Sequence, residues 1–152
     1  MKKYILTILT LIPVIAYSCN GYVVGFKGKD NAFDNIAFSE YAKHKDYCKK
    51  TFNWNQHSDA IKFIKTINVE YQLYGFSKGA ETVAHILKQS SKMPEYVITI
   101  GAYKTTNVNF DKYGIKYNNY FDHSGVGQSS PGVFLDVSHN KIQQKVNEII
   151  FR

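Results

Sequence analysis

Val69-Glu70-Tyr71-Gln72-Leu73-Tyr74, then Gly75-Phe76-Ser77-Lys78-Gly79, then Ala80-Glu81-Thr82-Val83-Ala84-His85-Ile86-Leu87 is the stretch that decides how this chain folds. The first six residues are rich in β-branched and aromatic types and read as a strand. The last eight carry apolar residues at helical spacing. Between them stands a serine with a glycine two residues to either side, the G-x-S-x-G pattern of a nucleophile elbow. Such a turn holds its central serine in a strained backbone conformation. Side chains at the flanking glycine positions would strike the neighbouring strand and helix. Backbone N–H groups at the start of the following helix point toward any anion formed above the serine.

Working outward, strands and helices alternate. Gly21-Tyr22-Val23-Val24-Gly25-Phe26 reads as a buried strand, followed by the polar loop Lys27-Gly28-Lys29-Asp30-Asn31. Residues 32–45 have helical spacing, with Phe33, Ile36, Ala37 and Tyr41 on one side. A short strand follows near Tyr47–Phe52, and 53–56 reads as loop. Ser58 is placed to cap a helix over Asp59–Ile67, with Ala60, Phe63, Ile64 and Ile67 on its apolar face. Beyond the elbow unit, Met93-Pro94 breaks the helix and Tyr96-Val97-Ile98-Thr99-Ile100 is a β run closed by Gly101. Residues 102–114 are polar and irregular. Ile115–Phe121 and Gly132–Val137 read as two more strands, and Lys141–Phe151 as a closing helix with Ile142, Val146, Ile149 and Ile150 on one face. This order predicts an α/β fold: a single domain with a mostly parallel central sheet of five or six strands and helices on both faces.

The N-terminus carries a second signal. Lys2-Lys3 precedes an apolar run from Tyr4 to Ile15 and then Ala16-Tyr17-Ser18. A basic start, a short hydrophobic run and small residues before a cut describe a secretory signal peptide over 1–18, leaving a domain over 19–152. A lipoprotein signal ending at Cys19, an uncleaved anchor and a first hydrophobic strand are the alternatives. The expected location is secreted or periplasmic. The two cysteines, Cys19 and Cys48, form no spacing pattern that predicts a bond, although an oxidising compartment would let them pair. No CxxC or His/Cys cluster points to a metal, so no metal site and no cofactor are expected. The formal charge of +7 comes from scattered lysines without a basic run, so nucleic acid is not an expected partner. A monomer is expected.

An activated serine needs a base within hydrogen-bond reach and a group that orients the base. In a parallel sheet, residues just past the carboxyl ends of strands converge on one edge. Asp122 directly follows one strand, and His139 follows the next and precedes the last helix. Asp136 competes with Asp122 but is expected inside its strand. His123 competes with His139 but adjoins Asp122 in sequence, and neighbours rarely orient one another. His85 lies too far along its helix, and His44 and His57 sit in early helical or loop segments. Lys78 and Glu81 read as solvated helix residues, and Tyr113, Tyr117 and Tyr120 as packing.

With Gly75-Phe76-Ser77-Lys78-Gly79, Phe121-Asp122 and Ser138-His139 in the order Ser, Asp, His, the chain resembles the α/β-hydrolase fold superfamily over essentially its whole expected mature length. The resemblance implies Ser77 as nucleophile, His139 as general base and acid, and Asp122 as orienter. It also implies an oxyanion hole made by the backbone N–H of Lys78 and that of Phe26 or Lys27, with Phe26 slightly preferred. The implied activity is cleavage of a carboxylic ester through an acyl-enzyme, with thioesters or acylated lipids and polysaccharides also fitting. The chain is short for this family and lacks room for the first antiparallel strands and for a cap, so a shallow, open cleft is expected. Only residues 123–131 join the Asp122 strand to the next, and they do not read as a helix. A hairpin there would send Asp122 and His139 to opposite sheet edges, so the reading requires an extended loop crossing one face. The alternatives from other classes are an inactive hydrolase-like binding or inhibitor protein and a membrane-anchored interaction protein.

Overall fold

Among the described residues, six strands form one sheet in the order β2-β1-β3-β4-β5-β6, and every neighbouring pair is parallel. The computed structural model describes residues 19–29, 31–103, 109–126 and 131–152. The strands are β1 (Gly21–Lys27), β2 (Cys48–Asn53), β3 (Glu70–Phe76), β4 (Tyr96–Ile100), β5 (Lys116–Phe121) and β6 (Val133–Phe134). The helices are α1 (Asn31–His44), α2 (His57–Thr66), α3 (Lys78–Gln89) and α4 (Ile142–Ile150). The expected signal peptide, 1–18, lies outside the described residues.

Side chains alternate between the two faces of the sheet, as a strand's period of two requires. Val24, Leu73 and Val97 turn to one face, where they pack with Ala60 and Ile64 of α2 and Val83, Ala84, Ile86 and Leu87 of α3. Val23, Tyr74 and Ile98 turn to the other, against Phe38, Tyr41 and Ala42 of α1 and Ile142 and Val146 of α4. Strands buried on both faces carry near-continuous apolar runs, which is why Tyr96–Ile100 was legible as a strand. Each fully buried Ile or Leu of this core stabilises the fold by about 1.5–3 kcal/mol relative to exposure.

Several local expectations are corrected. The N-cap of α2 is Gln56, not Ser58; Ser58 lies inside the helix, and the Gln56 side chain accepts from Asn53 N at 2.8 Å. On α4, Ile149 is exposed, and the buried face is completed by Gln143 and Asn147. On α1, Phe38 and Ala42 join Ala37 and Tyr41 in the core, while the side chains of Phe33 and Ile36 lie outside the described residues. The irregular stretch after β4 contains a 3-10 helix, Phe110–Tyr113, with Phe110 buried. The strand expected over Gly132–Val137 is only Val133–Phe134, both exposed at the sheet edge. Cys19 and Cys48 form a disulfide with Cα atoms 5.6 Å apart, tying the segment before β1 to the start of β2.

The connection after β5 is the one on which the site depends. A 3-10 turn, His123–Gly125, leaves the strand, and β6 then pairs parallel to β5, with Tyr120 opposite Val133 and Phe121 opposite Phe134. The parallel direction puts the ends of β5 and β6 at the same edge. The middle of this crossover, 127–130, lies outside the described residues.

Candidate active site

The strand order reverses between β1 and β3. Loops leaving these two strands lead to opposite faces, and the crevice between them at the carboxyl edge is where open α/β sheets place ligands. Ser77 follows β3 at that point. It has φ 53° and ψ −118°, one of two non-glycine residues with positive φ among those described. Such a conformation costs on the order of 1–3 kcal/mol and persists only where the surroundings enforce it.

Here the enforcement is visible. Ser77 N donates to Ile100 O at 2.8 Å, which extends the β3–β4 ladder by one step. A Cβ on Gly75 would stand 2.6 Å from Gly79 O and 2.8 Å from Ala80 Cα. A Cβ on Gly79 would stand 2.0 Å from Phe26 O. The first glycine therefore lets α3 fold back over its own strand, and the second lets α3 sit against β1. The loop after β1 runs beside the serine: a Cβ on Gly28 would stand 3.1 Å from Ser77 Cβ. Phe26 and Lys27, the expected oxyanion donors, thus end at the same edge as Lys78, which opens α3. Phe26 has register partners on both sides, Phe52 and Gly75, whereas Lys27 is paired only with Asn53 of β2.

The same edge brings in the two remaining residues. Gly101 N donates to Tyr120 O at 2.8 Å, which keeps Gly101 in step with Ser77, while Asp122 is the first residue after β5, so all three lie just past the carboxyl ends of adjacent strands. His139 lies in the turn before α4, whose Ile142 and Val146 anchor it on the sheet. His139 Nε2 is 3.0 Å from Ser77 Oγ, and His139 Nδ1 is 2.6 Å from Asp122 Oδ2. Asp122 is buried, with its side chain 3 % exposed, while that of His139 is about one-third exposed. Gly101 makes room for the ring: a Cβ there would lie 2.8 Å from His139 Cε1.

Two opposing effects set the state of Asp122. Burial alone would raise its pKa. It is outweighed by hydrogen bonds from the Ser124 hydroxyl and from His139, then by the Ser124 backbone N–H and the charge interaction with His139, so the net shift is downward. Ser124 Oγ and N donate to Asp122 Oδ1 at 2.5 and 2.8 Å. An ionised carboxylate only accepts, so Nδ1 carries a proton toward it, and in the tautomer this selects Nε2 is the acceptor facing Ser77.

Two aromatic rings lie close to parallel with the imidazole. Phe76 stacks on it at 5.3 Å between centroids and Tyr103 at 5.4 Å, both within 30° of parallel. Tyr103 Oη also lies 3.3 Å from Ser77 Oγ. Ser77 is itself only 6 % exposed. A cleft of about 800 Å³ lies between α1 and α4, lined by Glu40, Gln143, Asn147 and Phe151 among others, with none of Ser77, Asp122 or His139 in its wall.

The competing candidates pair with each other. His123 Nε2 is 2.9 Å from Asp136 Oδ1, and both side chains are largely exposed. Asp136 lies beyond β6, not inside it. Lys78 and Glu81 form an ion pair at 2.6 Å. His85 stacks on His57, away from the serine's partners. Among the described residues, no group of three or more His, Cys, Asp or Glu could hold a metal ion, and no helix is long and apolar enough to cross a membrane.

Sequence reasoning missed Tyr103, Ser124 and the role of Gly101. Tyr103 lies three residues past β4, and the strand-end rule that selected Asp122 was applied to acids and histidines alone. Ser124, two residues after an aspartate at a strand end, fits a side chain closing its own turn. In comparisons with known proteins, no family model, no curated protein and no solved structure matches this chain.

Proposed function

We propose that the protein is a serine hydrolase that cleaves carboxylic esters through an acyl-enzyme on Ser77. The observation that carries this reading is the continuous hydrogen-bond chain from Ser77 Oγ through His139 to the buried Asp122 carboxylate, set on a serine held at positive φ. His139 takes the hydroxyl proton as Ser77 attacks the acyl carbon and returns it to the departing alcohol. Asp122 holds the ring in the tautomer that accepts this proton. The N–H groups of Lys78 and of Phe26 or Lys27 receive the oxyanion; removing one such donor costs about 10²–10³ in rate. The strand order, with the serine at the switch point, and the Ser, Asp, His order support kinship with a minimal α/β-hydrolase fold. Thioesters and acylated lipids or polysaccharides remain within the substrate class. The Cys19–Cys48 disulfide supports an oxidising compartment, in keeping with a signal peptide over 1–18.

The test is hydrolysis of p-nitrophenyl acetate and butyrate, with fluorophosphonate labelling, for the wild type beside Ser77→Ala and His139→Ala. Loss of turnover in both variants and loss of labelling in Ser77→Ala are expected. A wild type that neither turns over nor labels would favour the second reading, a binding protein built on a hydrolase scaffold. The low exposure of Ser77 is the observation on that side.

A further inference from the structure

We propose that Tyr103 is a fourth catalytic residue of this site, its hydroxyl donating a hydrogen bond to Ser77 Oγ while its ring and that of Phe76 clamp His139. The inference builds on the hydrolase reading above. Its geometry is specific. Tyr103 stands three residues past the end of β4, with its ring stacked on His139. Its hydroxyl is 3.3 Å from Ser77 Oγ, and its ring lies 27° from parallel with the imidazole.

The direction of the hydrogen bond follows from proton counting. Ser77 has one proton. His139 Nε2, an acceptor in the tautomer that Asp122 selects, takes it at 3.0 Å. The remaining contact to Oγ must then come from the Tyr103 O–H. A donor aimed at Oγ stabilises negative charge there, and charge collects on that oxygen twice in the cycle. In acylation the Oγ–H proton passes to Nε2, Oγ bonds to the acyl carbon and the carbonyl pair moves to its oxygen. Collapse then breaks the bond to the leaving alkoxide, which takes the proton from Nε2. In deacylation water loses a proton to Nε2 and bonds to the acyl carbon, and Oγ departs with its electron pair before recovering that proton. Tyr103 keeps its own proton throughout. Its donation helps most where Oγ approaches an alkoxide, at the start of acylation and the end of deacylation.

The aromatic clamp acts on the base. Two faces parallel to the imidazole fix its plane, so that one nitrogen addresses Ser77 and the other Asp122. They also favour the positive ring that forms in each transition state, because aromatic faces are electron-rich.

The experiment compares Tyr103→Phe and Tyr103→Leu with the wild type and Ser77→Ala in the disulfide-bonded protein. The readouts are fluorophosphonate labelling rate, p-nitrophenyl acetate kcat and KM, and melting temperature. Tyr103→Phe keeps the ring and loses the hydroxyl. It should reduce the labelling rate and kcat about tenfold, with KM and melting temperature unchanged, in line with the loss of one hydrogen bond to a charged group. Tyr103→Leu should fall several-fold further because the clamp is also lost. A Tyr103→Phe protein that labels and turns over at the wild-type rate or faster overturns the assignment. Equal losses in kcat and melting temperature would overturn it as well, in favour of packing. A wild type that does not label at all overturns both this inference and the hydrolase reading, which separates that failure from a failure of Tyr103 alone.

Discussion

Gly79→Ala is the substitution that most directly tests how the sequence builds the site. The added methyl carbon would lie 2.0 Å from Phe26 O, 2.6 Å from Phe26 C and 3.0 Å from Lys27 O. Ordinary contact begins near 3.4 Å, so α3 and β1 must part by about 1.4 Å. All three obstacles are backbone atoms of a strand held in register on both sides, and no rotamer change relieves them. Overpacking of this kind costs about 1–3 kcal/mol, and the rigidity of β1 puts this case toward the upper end. Alanine's better helix propensity returns at most about 1 kcal/mol. A net loss of about 2 kcal/mol is expected, read as a lower urea midpoint at unchanged slope. The chemical consequence is larger. Moving the start of α3 by more than an ångström carries Ser77 and Lys78 N–H away from the β1 loop, and a misplacement of that size costs about a hundredfold in rate. Fluorophosphonate labelling of Ser77 should fall accordingly. Gly114→Ala is the control: nothing lies within 4 Å of its Cβ, but its φ is +63°. It should lose about 1–2 kcal/mol from the backbone term alone and label normally. A Gly79→Ala protein within about 0.5 kcal/mol of wild type, the usual scatter for neutral surface substitutions, that labels at the wild-type rate would refute the reasoning.

Two further outcomes follow from the electrostatics and the covalent link. The folded pKa of Asp122 lies below its ordinary value of 3.8, so its contribution to stability is present above that value and is lost as pH falls through the lowered one. Asp122→Asn should therefore flatten the pH dependence of the urea midpoint below about pH 4 and reduce turnover by about four orders of magnitude; an unchanged acid limb of stability would contradict the assigned environment. The Cys19–Cys48 bond closes a separation of 29 residues, for which loop entropy predicts about 3.5 kcal/mol. Reduction, or Cys48→Ser, should lower the urea midpoint by a corresponding amount, and a midpoint indifferent to reductant would show that the link adds no constraint.

What could be read from the sequence was whatever has a local cause. The elbow was legible because each part has a chemical signature: β-branched and aromatic residues before, helical spacing after, and two glycines where the structure leaves no room for a Cβ. Asp122 and His139 were reachable because a parallel sheet gathers its strand ends on one edge, so position alone narrowed the choice. The features that were missed have non-local causes. Nothing near Ser58 reveals that Gln56 opens α2, since both residue types tolerate a first turn and tertiary packing selects between them. The Cys19–Cys48 bond depends on β1 pairing parallel to β2, with Tyr22 opposite Cys48, a register that no spacing rule encodes. Tyr103 resembled one more aromatic in a polar loop until the β3–β4 register, with Phe76 opposite Ile100, set it beside the serine.

The short β6 is set by its place at the edge of the sheet. Gly132–Val137 has the composition of a full strand, yet only Val133 and Phe134 pair, and both are exposed. An edge strand has one neighbour to pair with, and its outer side offers no burial to extend it. Composition therefore overstated its length and left its direction open. Direction is what matters for the chemistry, because an antiparallel β6 would deliver His139 to the far edge of the sheet. Gln143 offers a physical reason for the parallel choice. The Tyr74 hydroxyl, buried on the central strand β3, donates to Gln143 Oε1 at 3.0 Å. That bond, with Ile142 and Val146 in the same apolar cluster, seats α4 over the middle of the sheet and leaves the turn before it at the carboxyl edge. His139 is thus positioned by the helix that follows it more than by the strand before it, and a site of this kind tolerates a two-residue edge strand.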